Sequence, residues 1–123
     1  MASSYSGGGA DSPDRISPRH IFEARIRIRF ERDGRKLNLP GWARNLSESG
    51  LGGFVAEVLN LGELVILEIP LSDSHKHAIP AKVVRALGTE YGFQFTALSA
   101  EQRRQIQATV KGRPAIPYHG NQP

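Results

Sequence analysis

The chain has 123 residues, 39% of them hydrophobic, which is the size of one domain with a single core. The absence of cysteine excludes disulfides, thiolate metal sites and cysteine nucleophiles, and the longest apolar run, residues 64–67, is too short to span a membrane. The net charge of +4 is uneven, because residues 15–36 carry eight basic against three acidic side chains. Such clustering indicates an anionic partner or, alternatively, a solvated sheet face.

The first 14 residues predict a disordered leader. They are mostly Ser, Gly, Ala and Asp, and they offer too little apolar surface to offset the entropy cost of ordering. They also lack the basic start and the apolar stretch of a secretory signal. We therefore expect a cytoplasmic protein whose folded domain begins near residue 15.

Residues 22–30 alternate strictly between apolar and polar side chains, which is typical of a strand with one face in a core. Asp33-Gly34 predicts a tight hairpin into a second strand over residues 36–44, and a bulge or bend is expected at Pro40-Gly41. Four further strands are predicted over residues 51–56, 63–71, 77–87 and 91–95, separated by polar or glycine-containing turns. Six short strands in this order indicate an all-β fold, a six-stranded antiparallel barrel or a sandwich.

One helix is predicted at the end of the domain. Ser99 and Gln102 have the spacing of a capping box, and residues 100–111 follow without Pro or Gly. Ile106 and Val110 give the helix a narrow apolar stripe that can lie against one end of a barrel. Residues 15–112 are thus expected to form the domain, and residues 113–123 a flexible tail.

Two arginines four residues apart, Arg15 and Arg19, precede the first strand. Pro18 disfavours a helix at Ser17, so residues 15–19, termed here the arm, are predicted to be extended or bent. Arginine presents a planar fork of donors suited to phosphate oxygens and to the O6/N7 edge of guanine. The alternative interpretation is a solvated linker whose arginines contact nothing.

A second polar motif, Asn45-Leu46-Ser47-Glu48-Ser49-Gly50, follows the second strand. Asn45 and Ser47 alternate onto one side of the chain, and both can donate and accept hydrogen bonds. Gly50 permits a positive φ and a close backbone approach. Taken alone, the same string is also ordinary turn chemistry.

Together, an RxxxR pair, a strand and then an NxSxxG motif leading into another strand resemble the PilZ family. The resemblance extends from about Arg15 to Lys111 and includes the six strands and the closing helix. It implies a small β-barrel with a flexible N-terminal arm that binds cyclic di-GMP, a bacterial second messenger. The family's ligand-binding positions correspond to Arg15 and Arg19 on the arm and to Asn45, Ser47 and Gly50 on the barrel. Asn45 stands where aspartate is frequent in the family, and Asp14 directly precedes the arginine pair.

The resemblance implies a receptor without enzymatic activity, cofactor or metal, which orders its arm on binding and signals through a protein partner. One alternative is a PilZ-like interaction module that binds only protein, and another is a small basic barrel that binds nucleic acid, which we do not expect. His75 and His77 have no further His or Cys nearby, so they are interpreted as surface histidines rather than zinc ligands. Tyr91, Phe93 and Phe95 are assigned to the core rather than to base stacking. The sequence is consistent with two positions for Trp42, on the ligand face or as a cap on the barrel.

Overall fold

The computed structural model describes residues 18–116, which form six strands and one helix. The strands are β1 (His20–Arg32), β2 (Arg35–Leu46), β3 (Gly50–Phe54), β4 (Leu64–Pro70), β5 (Lys76–Leu87) and β6 (Glu90–Phe95), and the helix is α1 (Ala100–Val110). Within residues 18–116, no helix has the length and apolar character needed to cross a membrane.

The strands close into a barrel in the order β1-β2-β3-β6-β5-β4, with β4 pairing back to β1. Every pair of neighbouring strands is antiparallel. Closure gives each strand a neighbour on both sides, which limits the strand edge that is open to pair with another chain. The predicted six-stranded antiparallel barrel with a C-terminal helix is confirmed.

The core lies inside the barrel because alternate side chains of each strand point inward. In β1 the inward set is the one that the alternation predicts, and Ile26 and Ile28 are fully enclosed. Tyr91 and Phe93 are likewise buried, so their assignment to the core is confirmed. The Tyr91 hydroxyl also accepts a hydrogen bond from the amide of Leu59 at 3.0 Å, which fixes the loop between β3 and β4.

The hairpin between β1 and β2 follows the sequence prediction. Asp33 has φ 55° and Gly34 has φ 76°, and positive φ at both central residues is what a type I′ turn requires. The predicted bulge at Pro40-Gly41 is wrong, because both residues pair in an unbroken ladder with β1. Gly41 instead allows close packing: a Cβ there would lie 2.7 Å from Cδ1 of Ile28.

Helix α1 begins with the predicted capping box. The Ser99 hydroxyl accepts from the Gln102 amide, and the Gln102 side chain accepts from the Ser99 amide. Ile106 is fully buried in the core, and Val110 is partly buried against it. Thr109 is also buried, and its hydroxyl accepts a hydrogen bond from the Ser72 amide at 2.8 Å. The helix is therefore held to the barrel by this polar contact as well as by its apolar stripe.

The chain after the helix returns to the start of β1. The Ile21 amide donates to the Pro114 carbonyl, and the Ile116 amide donates to the Arg19 carbonyl, each at 2.9 Å. These contacts involve the first residues of the stretch predicted to be a flexible tail. Residues 117–123 and the predicted leader, 1–14, lie outside the described part of the chain. The base of the arm is therefore bonded to the segment that follows α1.

A bidentate ion pair joins the end of β1 to the loop before β4. Arg32 donates to both carboxylate oxygens of Glu63, at 2.9 and 2.6 Å, and the Asn60 amide adds a third hydrogen bond. The Arg32 contact, aided by the Asn60 amide and opposed by burial, holds the pKa of the Glu63 carboxyl below its ordinary value.

We expect Glu63 to contribute stability that depends on pH. Because its folded pKa is lowered, the contribution is present above the ordinary carboxyl pKa and is lost as pH falls through the lowered value. Glu63→Gln should therefore unfold at a lower temperature than wild type at pH 7, with the difference shrinking below about pH 4. Thermal unfolding of both proteins between pH 7 and 3 measures this. A difference that stayed constant with pH would show that the ionised carboxylate contributes nothing.

Candidate functional site

The two sequence motifs meet on the outside of the barrel. Nη1 of Arg19 donates to Oδ1 of Asn45 at 2.6 Å, although the residues are 26 positions apart. The β1–β2 hairpin brings them together, because Ile21 pairs with Asn45 and His20 pairs with Leu46. Arg15, the other predicted arm residue, lies outside the described residues. Arg19 of the first motif and Asn45 of the second thus contact each other directly.

A β-bulge in β2 places Asn45. Ala43 pairs with Gly53 and Asn45 pairs with Gly52, so the ladder between β2 and β3 skips Arg44. A Cβ at Gly52 would lie 2.8 Å from Oδ1 and 2.9 Å from Nδ2 of Asn45, so the amide occupies the space above Gly52. Gly52 is a site residue that the motif reasoning missed. The glycine run after the NxSxxG motif was the available signal.

Ser47 has a different position from the one expected of a ligand-facing residue. Its side chain is 2% exposed, and its hydroxyl oxygen accepts from the amides of Ser49, at 3.1 Å, and Gly50, at 3.2 Å. The Ser47 amide in turn donates to the Gly50 carbonyl at 2.9 Å. In the structure, Ser47 therefore organises the turn that follows Asn45.

We expect Ser47→Ala to destabilise the domain by about 1–3 kcal/mol, because it leaves the buried Gly50 amide without its acceptor. Ser49→Ala is the matched control, since Ser49 keeps its backbone contacts and lies at the more open end of the same turn. Urea unfolding of the two variants gives the comparison. Equal losses of unfolding free energy would contradict the assignment of the turn to the Ser47 hydroxyl.

Gly50 is where β3 comes closest to β6. A Cβ built there would lie 2.1 Å from the carbonyl oxygen of Phe93, and the next nearest atoms also belong to the backbone. Gly50 has no positive φ, so the requirement for glycine at this position comes from the close approach of two strands.

The turn is also attached to the helix. The Glu48 carboxylate accepts from Arg103 at 3.1 Å and from Gln107 at 2.9 Å. Both donors lie on α1, more than 50 residues later in the chain. The middle residue of the second motif therefore links the candidate site to the helix, a contact that the sequence pattern did not indicate.

Trp42 lies on the outer face of β2, three residues before Asn45. Its indole Nε1 donates to the carboxylate of Glu23 on β1, and 37% of the residue is exposed. Trp42 is close enough in sequence to the second motif to serve as a fluorescent probe of it.

His75, in the polar loop before β5, and His77, near the start of β5, lie around one carboxylate. Nε2 of His77 is 2.9 Å and Nδ1 of His75 is 3.6 Å from Asp73 Oδ2. Over residues 18–116, no group of three His, Cys, Asp or Glu side chains has a geometry that could hold a metal ion.

Comparison with known proteins assigns the family. A family model described as PilZ domain matches residues 13–112. No curated protein sequence matches the chain significantly.

Solved structures show the same fold. The PilZ domain of CeSA from a cellulose-synthesising bacterium is 21% identical with a TM-score of 0.59, covering 76% of this chain and 95% of its own. The PilZ domain of YcgR from Escherichia coli, solved with cyclic di-GMP, is 14% identical with a TM-score of 0.58, covering 77% and 87%. The Bacillus subtilis inhibitor of motility, MotI/DgrA, is 17% identical with a TM-score of 0.56, covering 77% and 49%.

The matched segment takes in both motifs, the whole barrel and helix α1. A closed six-stranded barrel, the contact between the RxxxR and NxSxxG motifs, and a family match over most of the chain agree with one another. The chain belongs to the PilZ family.

Proposed function

We propose that this protein is a bacterial receptor for cyclic di-GMP, without enzymatic activity, which binds the nucleotide on the outside of the barrel. The residues assigned to the ligand are Arg15, Arg19, Asn45, Ser47 and Gly50. The observation that carries the proposal is the hydrogen bond between Arg19 and Asn45, because it joins polar side chains of two motifs that lie 26 positions apart in the chain. The structure of YcgR with cyclic di-GMP shows that this fold accepts the nucleotide.

The chemistry of the two side chains fits a ligand with two phosphates and two guanines. The Arg19 guanidinium offers paired donors to a phosphate or to the O6/N7 edge of guanine. While Oδ1 of Asn45 accepts from Arg19, its Nδ2 keeps two hydrogens to donate. Because Gly52 has no side chain, the Asn45 amide can lie directly against β3.

In this proposal Ser47 and Gly50 act by shaping the site. The Ser47 hydroxyl fixes the turn after Asn45, and Gly50 allows β3 to lie against β6. Their assignment to the ligand site then means that they hold Asn45 and the turn amides in place. The motif residues divide into donors that meet the ligand and residues that position them.

The contacts of the site suggest how binding is transmitted to a protein partner. Arg19 at the base of the arm is hydrogen-bonded to residue 116, the start of β1 is hydrogen-bonded to residue 114, and the turn is bonded to α1 through Glu48. Ordering of the arm over the nucleotide would therefore act on two surface elements at once. We propose that a downstream protein recognises this altered surface in the cytoplasm.

Hydrogen exchange with and without nucleotide tests the proposal. Cyclic di-GMP should protect the amides of residues 11–20 and of the turn at residues 47–50, since the arm and the turn become ordered around the ligand. Cyclic di-AMP at the same concentration should protect neither segment. Absence of protection by cyclic di-GMP would contradict the receptor assignment and favour a PilZ domain that binds only protein.

A further inference from the structure

Two β-bulges flank a pair of facing glycines on the outer surface of the barrel. In β2 the bulge places Asn45 opposite Gly52 of β3. In β5 the register shifts between Val83 and Arg85, so that Arg85 pairs with Gly92 of β6. Gly52 and Gly92 pair directly with each other, and the four residues form one row across four strands.

The second bulge decides the direction of Arg85. Val83 points into the barrel and is buried, and in an unbroken strand Arg85 would point the same way. The inserted residue places Arg85 on the outer surface instead, where a Cβ at Gly92 would lie 3.2 Å from its Cβ and 3.5 Å from its Nε. Bulges of this kind re-aim side chains next to binding sites. The arrangement mirrors that of Asn45 above Gly52.

Arg85 also lacks a partner among the residues that the structure describes. It is exposed, and no hydrogen bond or ion pair to it exists among residues 18–116. The neighbouring carboxylate, Glu90, is paired with Arg44 at 3.6 Å. By contrast, Arg29 on β1 forms an ion pair with Glu68 on β4 at 2.7 Å. Arg85 therefore keeps a full set of donors beside this row, to which Gly52 and Gly92 contribute no side chain of their own.

We propose that Arg85 is a further ligand-binding residue, which contacts the guanine of cyclic di-GMP farther from the arm. This inference rests on the proposed function. With strands spaced by about 4.8 Å, the Cα atoms of Asn45 and Arg85 lie roughly 14 Å apart across the row. Asn45 contacts the arm, so this distance separates the arm from Arg85 and leaves room for a base between Asn45 and Arg85.

The geometry favours the edge of a base over a phosphate as the contact. The Asn45 amide lies over Gly52 and the Arg85 side chain lies over Gly92, so a base that enters between these two side chains presents its edges to them. Because the Arg85 side chain lies against Gly92, its guanidinium is held near the sheet, where it can meet the edge of such a base. The O6/N7 edge of guanine is the acceptor pair that an arginine fork fits, whereas adenine presents an amino donor at the corresponding position.

Calorimetric titration of the full chain with cyclic di-GMP and with the hybrid 3′,3′-cyclic GMP-AMP tests the inference. Wild type should prefer cyclic di-GMP over the hybrid, because the hybrid can supply guanine to only one end of the site. Arg85→Ala should weaken cyclic di-GMP binding by roughly ten- to a hundredfold and leave the hybrid nearly unchanged. Arg85→Lys should recover only part of the loss, since an ammonium lacks the planar fork.

Arg35→Ala is the matched control, because Arg35 is an exposed arginine at the β1–β2 hairpin and its loss changes the net charge equally. It should bind both nucleotides like wild type. Equal weakening of both nucleotides by Arg85→Ala would overturn the contact with guanine, and unchanged binding of cyclic di-GMP would overturn any contact. In both of these outcomes the wild-type protein still binds cyclic di-GMP, so the proposed receptor function stands. Failure of the wild-type protein to bind cyclic di-GMP would overturn the receptor function and the role of Arg85 together.

Discussion

Gly50→Ala is expected to destabilise the barrel by roughly 3 kcal/mol, the upper end of the usual cost of overpacking. The added methyl would lie 2.1 Å from the Phe93 carbonyl oxygen, and its next contacts are also backbone atoms. No side-chain rotation can relieve such an overlap, so β3 and β6 would have to separate. Urea unfolding followed by circular dichroism measures the loss.

Gly92→Ala is the control for that experiment. Gly92 lies on the neighbouring strand, and its added methyl would first meet the Cβ of Arg85 at 3.2 Å, a side-chain contact on the outer surface. The expected loss is about 1 kcal/mol or less. Similar losses in the two variants would show that the close approach of β3 and β6 does not explain the glycine at position 50.

Arg19→Ala is expected to weaken cyclic di-GMP binding by about 1.5–3 kcal/mol, the range for hydrogen bonds to charged groups, which corresponds to roughly ten- to 150-fold in affinity. Arg19 contributes its guanidinium to the site and its backbone to the contact with residue 116. Only the side chain is removed, so the unfolding free energy should hardly change. Arg19→Lys should restore part of the affinity, since one donor group remains.

The same Arg35→Ala variant separates a specific contact from a general charge effect. Both substitutions remove one positive charge, and a non-specific anion binder would lose similar affinity from each. If Arg19 contacts the ligand, Arg19→Ala should lose affinity for cyclic di-GMP and Arg35→Ala should not. Titrations followed by Trp42 fluorescence compare the two variants, and wild-type affinity in Arg19→Ala would contradict the assignment.

The elements that the sequence predicted well are those determined by neighbouring residues. The alternation of β1 depends on a period of two, the Asp33-Gly34 hairpin on two positive φ angles, and the start of α1 on a capping box four residues long. Each feature is complete within one short segment. The order of the motifs around these elements then sufficed to indicate the family.

The features that the sequence did not predict depend on contacts between distant segments. Both bulges arise from how one strand fits its neighbour, so the pairing of Arg85 with Gly92 and the position of Asn45 above Gly52 cannot be read from either strand alone. The bulge expected at Pro40-Gly41 was wrong for the same reason, because the packing of Ile28 explains that glycine. The buried, turn-forming position of Ser47 likewise requires knowledge of the folded loop.

Calorimetric titration of the full-length chain with cyclic di-GMP and cyclic di-AMP, at low and moderate salt, tests the receptor assignment most directly. The account predicts binding of cyclic di-GMP that persists at moderate salt and a large preference over cyclic di-AMP, because each guanine edge mismatched by adenine costs on the order of 1–3 kcal/mol. Equal affinity for the two nucleotides, falling steeply together as salt rises, would contradict it and leave a non-specific binder of anions.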